Sequence, residues 1–202
     1  MGACLVLMVQ GCASQLTRRT FETSDGVALS LLESGREHTG GSKLKIALLT
    51  GWTMPAAIWQ NQLEFFGQSY HTLALDPRGQ GDSEVPLSGY TAERRATDLR
   101  EFLRPFSNVL LIGWSLGAIE SLQYIHMFGA DKLAGLVLVD SSVGEEPAPT
   151  GEGTFLQSLR QDRDGTVEGF VRAIFNTPQP ESEIAKLISG AKRMPVEDSI
   201  AL

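Results

Sequence analysis

The chain has little cysteine, little histidine and no excess of positive charge. Its two cysteines, Cys4 and Cys12, both lie near the start, so no disulfide framework can be argued. The formal net charge of −7 argues against nucleic acid as a main partner. The sequence shows no apolar run long enough to span a membrane, no internal repeat and no metal-ligand cluster. What remains fits one globular domain, since 42% of the 202 residues are hydrophobic and 20% are charged.

The start of the chain admits two interpretations. An apolar stretch over 3–9 is followed by Gln10-Gly11-Cys12. This resembles the end of a bacterial lipoprotein signal, in which a small residue precedes a lipidated cysteine. The resemblance implies that 1–19 are signal and tether, and that lipidated Cys12 attaches the protein to a membrane outside the cytoplasm. No Lys or Arg precedes the apolar stretch, and the alternative is a buried N-terminal strand in a cytoplasmic protein.

Apolar runs of strand length alternate with helical patterns up to Asp140. This alternation predicts an α/β fold with a parallel sheet and right-handed crossovers. Asp25-Gly26 predicts a hairpin between the first two strands. Strands are predicted at 20–23, 27–32, 45–50, 71–76, 109–112 and 135–140, and helices at 58–66, 91–103 and 116–128. After Asp140 a Gly- and Pro-rich loop precedes helical patterns at 155–160, 167–175 and 184–188, which predict an inserted helical lid.

The most informative segment is Gly113-Trp114-Ser115-Leu116-Gly117, which lies between a predicted strand and a predicted helix. Strand, G-x-S-x-G and helix are the context of a nucleophile elbow. The turn is too tight for side chains beside the serine, so glycine flanks it. It raises the serine hydroxyl above the sheet at a helix N-terminus, where backbone N–H groups point outward. Such a site can form an acyl-enzyme and hold an oxyanion.

Three further segments accompany the elbow: 48–52 with Trp59 downstream, 76–83, and 136–141. In this order and spacing the chain resembles the α/β-hydrolase superfamily, especially its small esterases, cofactor-free haloperoxidases (perhydrolases) and pimeloyl-ester carboxylesterases. The resemblance covers about 21–140 well and the lid more loosely. It implies a mostly parallel sheet flanked by helices, with a core over 20–144 and a helical lid over 145–202, after the sixth strand.

The same resemblance implies roles for individual residues. Ser115 would be the nucleophile, and the backbone N–H groups of Trp52 and Leu116 would form the oxyanion hole. Thr50-Gly51 stands where the family usually has His-Gly, and a backbone donor tolerates that change. In the 76–83 turn, Arg78 and Asp82 are expected to join loops rather than to touch substrate. The resemblance implies no metal and no organic cofactor.

A serine nucleophile needs a histidine base and an orienting acid. His126 lies eleven residues after Ser115, roughly 16 Å along the same predicted helix. His71 opens a predicted strand, about 17 Å from the end that carries the active edge. His38 lies in the loop before the third strand, at the same distant edge. The sequence therefore predicts that none of the three histidines serves Ser115.

The acid has one candidate. In most of the superfamily it follows the seventh strand, whereas in some branches it follows the sixth, where Asp140 stands. An aspartate at this place can instead anchor a loop through hydrogen bonds. The family's last two strands are missing from the sequence, and we expect a fragment of a hydrolase with an exposed sheet edge.

These observations favour a serine hydrolase that acts on small-molecule carboxylic esters through an acyl-enzyme. A serine at the elbow argues against dehalogenase and epoxide hydrolase activity, which this fold normally performs with aspartate. Perhydrolysis or haloperoxidation at the same site is one alternative. The other is a non-catalytic pseudo-hydrolase that binds an acyl ligand or a partner, which the absence of a histidine after His126 supports.

Overall fold

A computed structural model describes residues 16–38, 43–141 and 153–202. Cys4 and Cys12 lie outside the described residues, so lipidation stays a prediction. Within the described residues six strands form one sheet. They are β1 (Thr17–Glu22), β2 (Ala28–Ser34), β3 (Lys45–Leu49), β4 (His71–Leu75), β5 (Val109–Trp114) and β6 (Leu133–Val139).

The strand order is β1-β2-β4-β3-β5-β6, and β4, β3, β5 and β6 run parallel. The hairpin strands β1 and β2 are antiparallel, and β2 joins β4 antiparallel. This confirms the predicted α/β sheet. Because β3, β5 and β6 are parallel neighbours, their carboxyl ends meet at one edge, where open α/β sheets bind ligands. Among the described residues β6 pairs with β5 alone.

Helices cover both faces of this sheet and its carboxyl edge. In chain order they are α1 (Gln60–Phe66), α2 (Ala92–Leu103), α3 (Leu116–Phe128), α4 (Thr154–Gln161), α5 (Arg163–Ala173), α6 (Glu181–Ala191) and α7 (Val196–Ala201). Short 3-10 helices span Arg36–His38 and Ala56–Trp59. Buried residues of α2 and α3 pack on one face, and Leu63 of α1 packs on the other. The helices α4 to α6 form a third apolar cluster with Met54, Trp52 and Trp114, which lie at the carboxyl edge.

Local sequence explains where the helices nearest the site begin and end. Thr91 caps α2, because its side chain accepts a hydrogen bond from the Arg94 N–H. Gly129 ends α3 at a φ of +75°, a left-handed conformation that glycine adopts without strain. Every residue of β3 and β4 is buried, which matches their nearly continuous apolar sequence.

Several element boundaries differ from the prediction by a few residues, and two differences are larger. The sequence predicts 17–19 as part of the tether, because Thr17-Arg18-Arg19 is polar and shows no apolar alternation. In the structure the strand β1 begins at Thr17, with these residues exposed. The short helix α7 was not predicted. Within the described residues no helix has both the length and the apolar character needed to cross a membrane.

Candidate active site

Ser115 lies in a strained turn between β5 and α3. Its φ is +54° and its ψ is −120°, a conformation that L-residues rarely adopt. Its N–H donates to the Val139 carbonyl at 2.9 Å, and its carbonyl accepts from the Ala118 N–H at 2.9 Å. The first bond ties the turn to the end of β6 and the second begins α3. The elbow predicted from the sequence is therefore present, with Ser115 at its tip.

Glycines allow neighbouring segments to approach this turn. A Cβ added to Gly51 would lie 3.2 Å from the Ser115 Cβ. A Cβ added to Gly117 would lie 2.7 Å from the Thr50 carbonyl oxygen, too close to be accommodated. The segment after β3 is therefore in contact with the serine, and only glycine at 51 and 117 permits that approach without displacement.

The two predicted oxyanion donors lie in the segments that meet at Ser115. Trp52 follows Gly51 in a turn that the Met54 N–H closes on the Gly51 carbonyl at 3.2 Å. Leu116 is the first residue of α3, where a backbone N–H has no partner within the helix. Thr53 in the turn has a φ of +57°, which is unusual for a β-branched residue. The geometry thus brings Gly51, Trp52, Ser115 and Leu116 together.

Asp140 lies beside Ser115 along the sheet edge. The β5–β6 register pairs Trp114 with Val139, so Ser115 and Asp140 are the next residues on neighbouring parallel strands. Asp140 is exposed and has a φ of +49°. Neither its carboxylate nor the Ser115 hydroxyl forms a hydrogen bond to another described residue. Its role as the acid stays a prediction.

The histidines lie away from the elbow, as the sequence predicted. His71 begins β4 and is level with Val109, at the opposite end of β5 from Ser115. Its Nε2 lies 3.0 Å from the Glu33 Oε2, and both side chains are buried. His126 is exposed in the last turn of α3, about 16 Å from Ser115 along the axis. The backbone of His38 follows β2, which ends at the same distant edge as His71.

The turn after β4 is held by a buried aspartate. The Asp76 carboxylate accepts from the Ala56 N–H at 2.6 Å and pairs with Arg18 at 2.9 Å. Burial raises the pKa of the Asp76 carboxyl, and these donors act in the opposite direction. Arg18 also pairs with Asp82 at 2.7 Å. Asp82 therefore joins β1 to this turn, as predicted.

Arg78 has a purely internal role among the described residues. It is fully buried, and its guanidinium donates to the two Asp98 oxygens at 2.6 and 2.7 Å and to Asp25 at 3.1 Å. Burial alone would lower the pKa of Arg78, but the hydrogen bonds to Asp98 and Asp25 raise it, so the group stays charged. Arg78 joins the β1–β2 hairpin to α2, which agrees with the predicted loop-joining role.

The lid helices contact the site through Trp52. The Trp52 ring packs edge-on against Phe155 of α4 and Phe170 of α5, with ring centroids 5.3 and 5.2 Å apart. Its indole N–H donates to the Ser199 carbonyl of α7 at 2.6 Å. A cleft of about 220 Å³ opens beside the elbow, lined by Ile58, Trp59, Gln62, Trp114, Val139, Ile174 and Phe175.

The sequence interpretation missed one group of buried polar residues behind the site. Gln80, Arg95 and Glu120 are all buried, and Gln80 donates to backbone carbonyls of the 51–54 turn. Arg95 and Glu120 lie on the buried sides of α2 and α3. From periodicity alone, Arg95 and Glu120 are predicted to be solvent-exposed charged residues. Only the position of Gln80 within the glycine-rich 76–83 turn hinted at a role.

The known proteins that are similar to this chain share one fold but are named for different reactions. A soluble epoxide hydrolase from Corynebacterium is 29% identical over 114 residues, which is 52% of this chain and 40% of that protein. A non-heme chloroperoxidase from Streptomyces lividans is 29% identical over 125 residues, which is 60% of this chain and 44% of that protein. The chain spans about half the length of such curated relatives.

The structural similarity extends over nearly the whole chain. An esterase from Exiguobacterium antarcticum superimposes with a TM-score of 0.73 over 91% of this chain and 72% of that one, at 22% identity. Such a likeness establishes the shared fold. The model of the alpha/beta hydrolase family matches residues 46–193. Together with the strand order and the strained serine turn, that match shows that the chain belongs to the alpha/beta hydrolase family.

Proposed function

We propose that Ser115 is the nucleophile of a serine hydrolase that acts on carboxylic esters. The observation that carries the proposal is the backbone of Ser115, held at a φ of +54° against Gly51. Strain of this kind costs about 1–3 kcal/mol and persists where surrounding structure enforces it, typically at functional sites. A serine here favours acyl transfer over epoxide opening, which this fold normally performs with aspartate.

The reaction follows from the groups that meet at the elbow. The Ser115 Oγ attacks the ester carbonyl carbon while a histidine base accepts its proton. The N–H groups of Trp52 and Leu116 donate to the resulting oxyanion. The alcohol leaves with the proton, and water then releases the acid from the acyl-enzyme. Neither His71 nor His126 is placed to act as this base, and Asp140 would orient a histidine that reaches the site.

The cleft beside Trp114 favours an uncharged substrate group. Of its seven lining residues Gln62 has the strongest hydrogen-bonding side chain, and the others present apolar or aromatic surface. An acyl or alkoxy group of a small ester would be buried there, and each buried methylene would contribute about 0.8 kcal/mol. A charged group would lose its hydration without a partner.

The experiment supplies imidazole as an external base. The chain would be assayed with p-nitrophenyl acetate in the presence of imidazole, and the rate with imidazole alone would be subtracted; we call this the imidazole assay. We expect a protein-dependent rate that Ser115→Ala abolishes. A fluorophosphonate probe should label Ser115 under the same conditions. The matched control is Ser107→Ala, an exposed serine just before the other end of β5, which should keep both rate and labelling.

Two other outcomes would replace this proposal. If ester hydrolysis is absent but Ser115 supports peracid formation from a short carboxylic acid and hydrogen peroxide, the site is a perhydrolase, as the chloroperoxidase relative suggests. If neither reaction depends on Ser115, Ser115 is not the nucleophile, and the result favours the alternative of a non-catalytic pseudo-hydrolase.

A further inference from the structure

The turn that carries Trp52 is held at both ends by one buried side chain. The Gln80 Nε2 donates to the Gly51 carbonyl at 3.0 Å and to the Met54 carbonyl at 2.9 Å. Gln80 has no exposed surface. Gly51 and Met54 are the first and last residues of the turn that carries Trp52. A turn that holds Thr53 at a φ of +57° is strained, and the two bonds from Gln80 stabilise that conformation.

The bond to Gly51 also helps to fix the direction of the Trp52 N–H, together with the Met54 N–H, which donates to the same carbonyl. The Gly51 C=O and the Trp52 N–H belong to one planar trans peptide and point in opposite directions. Holding the carbonyl oxygen toward Gln80 therefore turns the N–H away from Gln80. Gly51 lies beside Ser115, since a Cβ added to Gly51 would be 3.2 Å from the Ser115 Cβ.

A second interaction fixes which way the Gln80 amide faces. The Arg95 Nη2 donates to the Gln80 Oε1 at 2.8 Å, so the amide nitrogen must face the turn. The Arg95 Nε in turn donates to the Glu120 Oε1 of α3. Arg95 is 3% exposed and Glu120 is 6% exposed, so solvent does not compete for these bonds. The network thus connects the Trp52 turn with the helix that begins at Leu116.

We propose that Gln80 is a positioning residue for the oxyanion hole. By holding the Gly51 carbonyl, Gln80 aims the Trp52 N–H at the oxyanion. Arg95 and Glu120 set the orientation of its amide. The inference rests on the proposed function, because it requires that an oxyanion forms at Ser115. Gln80 itself does not touch the substrate.

This role predicts a specific kinetic signature. An oxyanion-hole donor interacts more strongly with the transition state than with the bound ester, so its loss lowers kcat and leaves KM nearly unchanged. Removing one such donor lowers kcat by about 10²–10³-fold. A misdirected donor should therefore lower kcat by roughly tenfold or more.

The test uses the 202-residue chain in the imidazole assay. Gln80→Met keeps the length of the side chain and removes both donors. Gln80→Glu keeps a partner for Arg95, but a carboxylate accepts hydrogen bonds and cannot donate to the carbonyls of Gly51 and Met54. Both variants should lose kcat roughly tenfold or more at a KM within about twofold of the unmodified chain. Gln60→Met, the same change at an exposed glutamine, is the matched control and should leave both constants unchanged.

The folded fraction of each variant is measured by circular dichroism, and kcat is expressed per folded molecule. A loss of stability is then not mistaken for a loss of kcat. If Gln80→Met does not fold, Gln80→Glu carries the test. An unchanged kcat in a folded variant, or a raised KM at constant kcat, would overturn the positioning role. Ser115→Ala is assayed in parallel, and a rate that survives it would refute the proposed function itself. Loss of the rate in Ser115→Ala with normal Gln80 variants would refute this inference alone.

Discussion

The indole N–H of Trp52 and the carbonyl of Ser199 form a hydrogen bond of 2.6 Å between the oxyanion turn and the last described helix. The side chain of Trp52 thus holds the lid, while its backbone belongs to the turn that begins with Gly51 beside Ser115. Any movement of α7 away from the core must break this bond. The lid and the proposed donor are therefore coupled through one residue.

Trp52→Phe should loosen the lid. Phenylalanine keeps the edge contacts with Phe155 and Phe170 but cannot donate to the Ser199 carbonyl. We expect a loss of about 1 kcal/mol in unfolding free energy and faster hydrogen exchange of the α7 amides. The matched control is Trp59→Phe, because the buried Trp59 indole N–H has no partner in the described part of the chain. Equal effects of the two substitutions would show that the hydrogen bond between Trp52 and the Ser199 carbonyl does not hold α7 in place.

Arg78→Met should destabilise the chain strongly. It leaves the buried Asp98 with Arg94 as its remaining partner and deprives Asp25 of its closest cation. Breaking a buried ion pair by removing one partner costs about 3–5 kcal/mol. Denaturant unfolding measures the loss. Arg172→Met removes an exposed arginine from two carboxylates and should cost at most about 1 kcal/mol; a similar cost for both would contradict the central role of Arg78.

The Asp25–Arg78 pair should make stability fall in acid. Burial acts to raise the pKa of Asp25, but hydrogen bonds from Arg78 and Thr23 outweigh it and hold the pKa at about 2, below the ordinary 3.8. A carboxyl whose folded pKa is lowered stabilises the fold above its unfolded pKa, and this contribution is lost as the pH falls through about 2. Because Asp25 is 37% exposed, we expect about 1 kcal/mol after allowance for solvent screening.

Asp25→Asn should therefore flatten the curve of unfolding free energy against pH between about pH 4 and about pH 2. Asp131→Asn is the control, since Asp131 is an exposed aspartate that forms no ion pair with a described residue. If both variants keep the slope of the unmodified chain, another carboxylate is responsible for the acid sensitivity.

His126→Gln and His71→Gln should leave the Ser115-dependent rate measured without imidazole within about twofold, because neither histidine lies at the elbow. Without imidazole, only oxyanion and binding effects remain, roughly 10³-fold over water. A loss of the rate in either folded variant would identify the base and refute the placement argued above. His71→Gln needs a stability measurement alongside, because it removes the partner of buried Glu33.

The sequence predicts the elements around the elbow well because their signals are local. The helix α3 runs from Leu116 to Phe128 as expected, since the elbow starts it and Gly129 ends it. The short helix α7 escaped prediction because six residues, Val-Glu-Asp-Ser-Ile-Ala, are too few to show a helical period.

The network behind the oxyanion turn could not be predicted, and the reason is physical. Gln80 lies in a turn, Arg95 on α2 and Glu120 on α3, so their contact arises only when the helices pack on the sheet. An arginine or glutamate in a helix usually indicates a solvated face. The sequence shows where a charge lies along the chain, but its partner depends on the tertiary fold.

The backbone of Ser115 has a consequence for how this sequence can change over time. A φ of +54° is strained for serine and comfortable for glycine, so Ser115→Gly should stabilise the fold by about 1 kcal/mol while it removes the hydroxyl. Selection for stability would favour that substitution in any lineage that no longer used the side chain. A lineage that kept the serine against this gradient would retain the hydroxyl at the expense of stability.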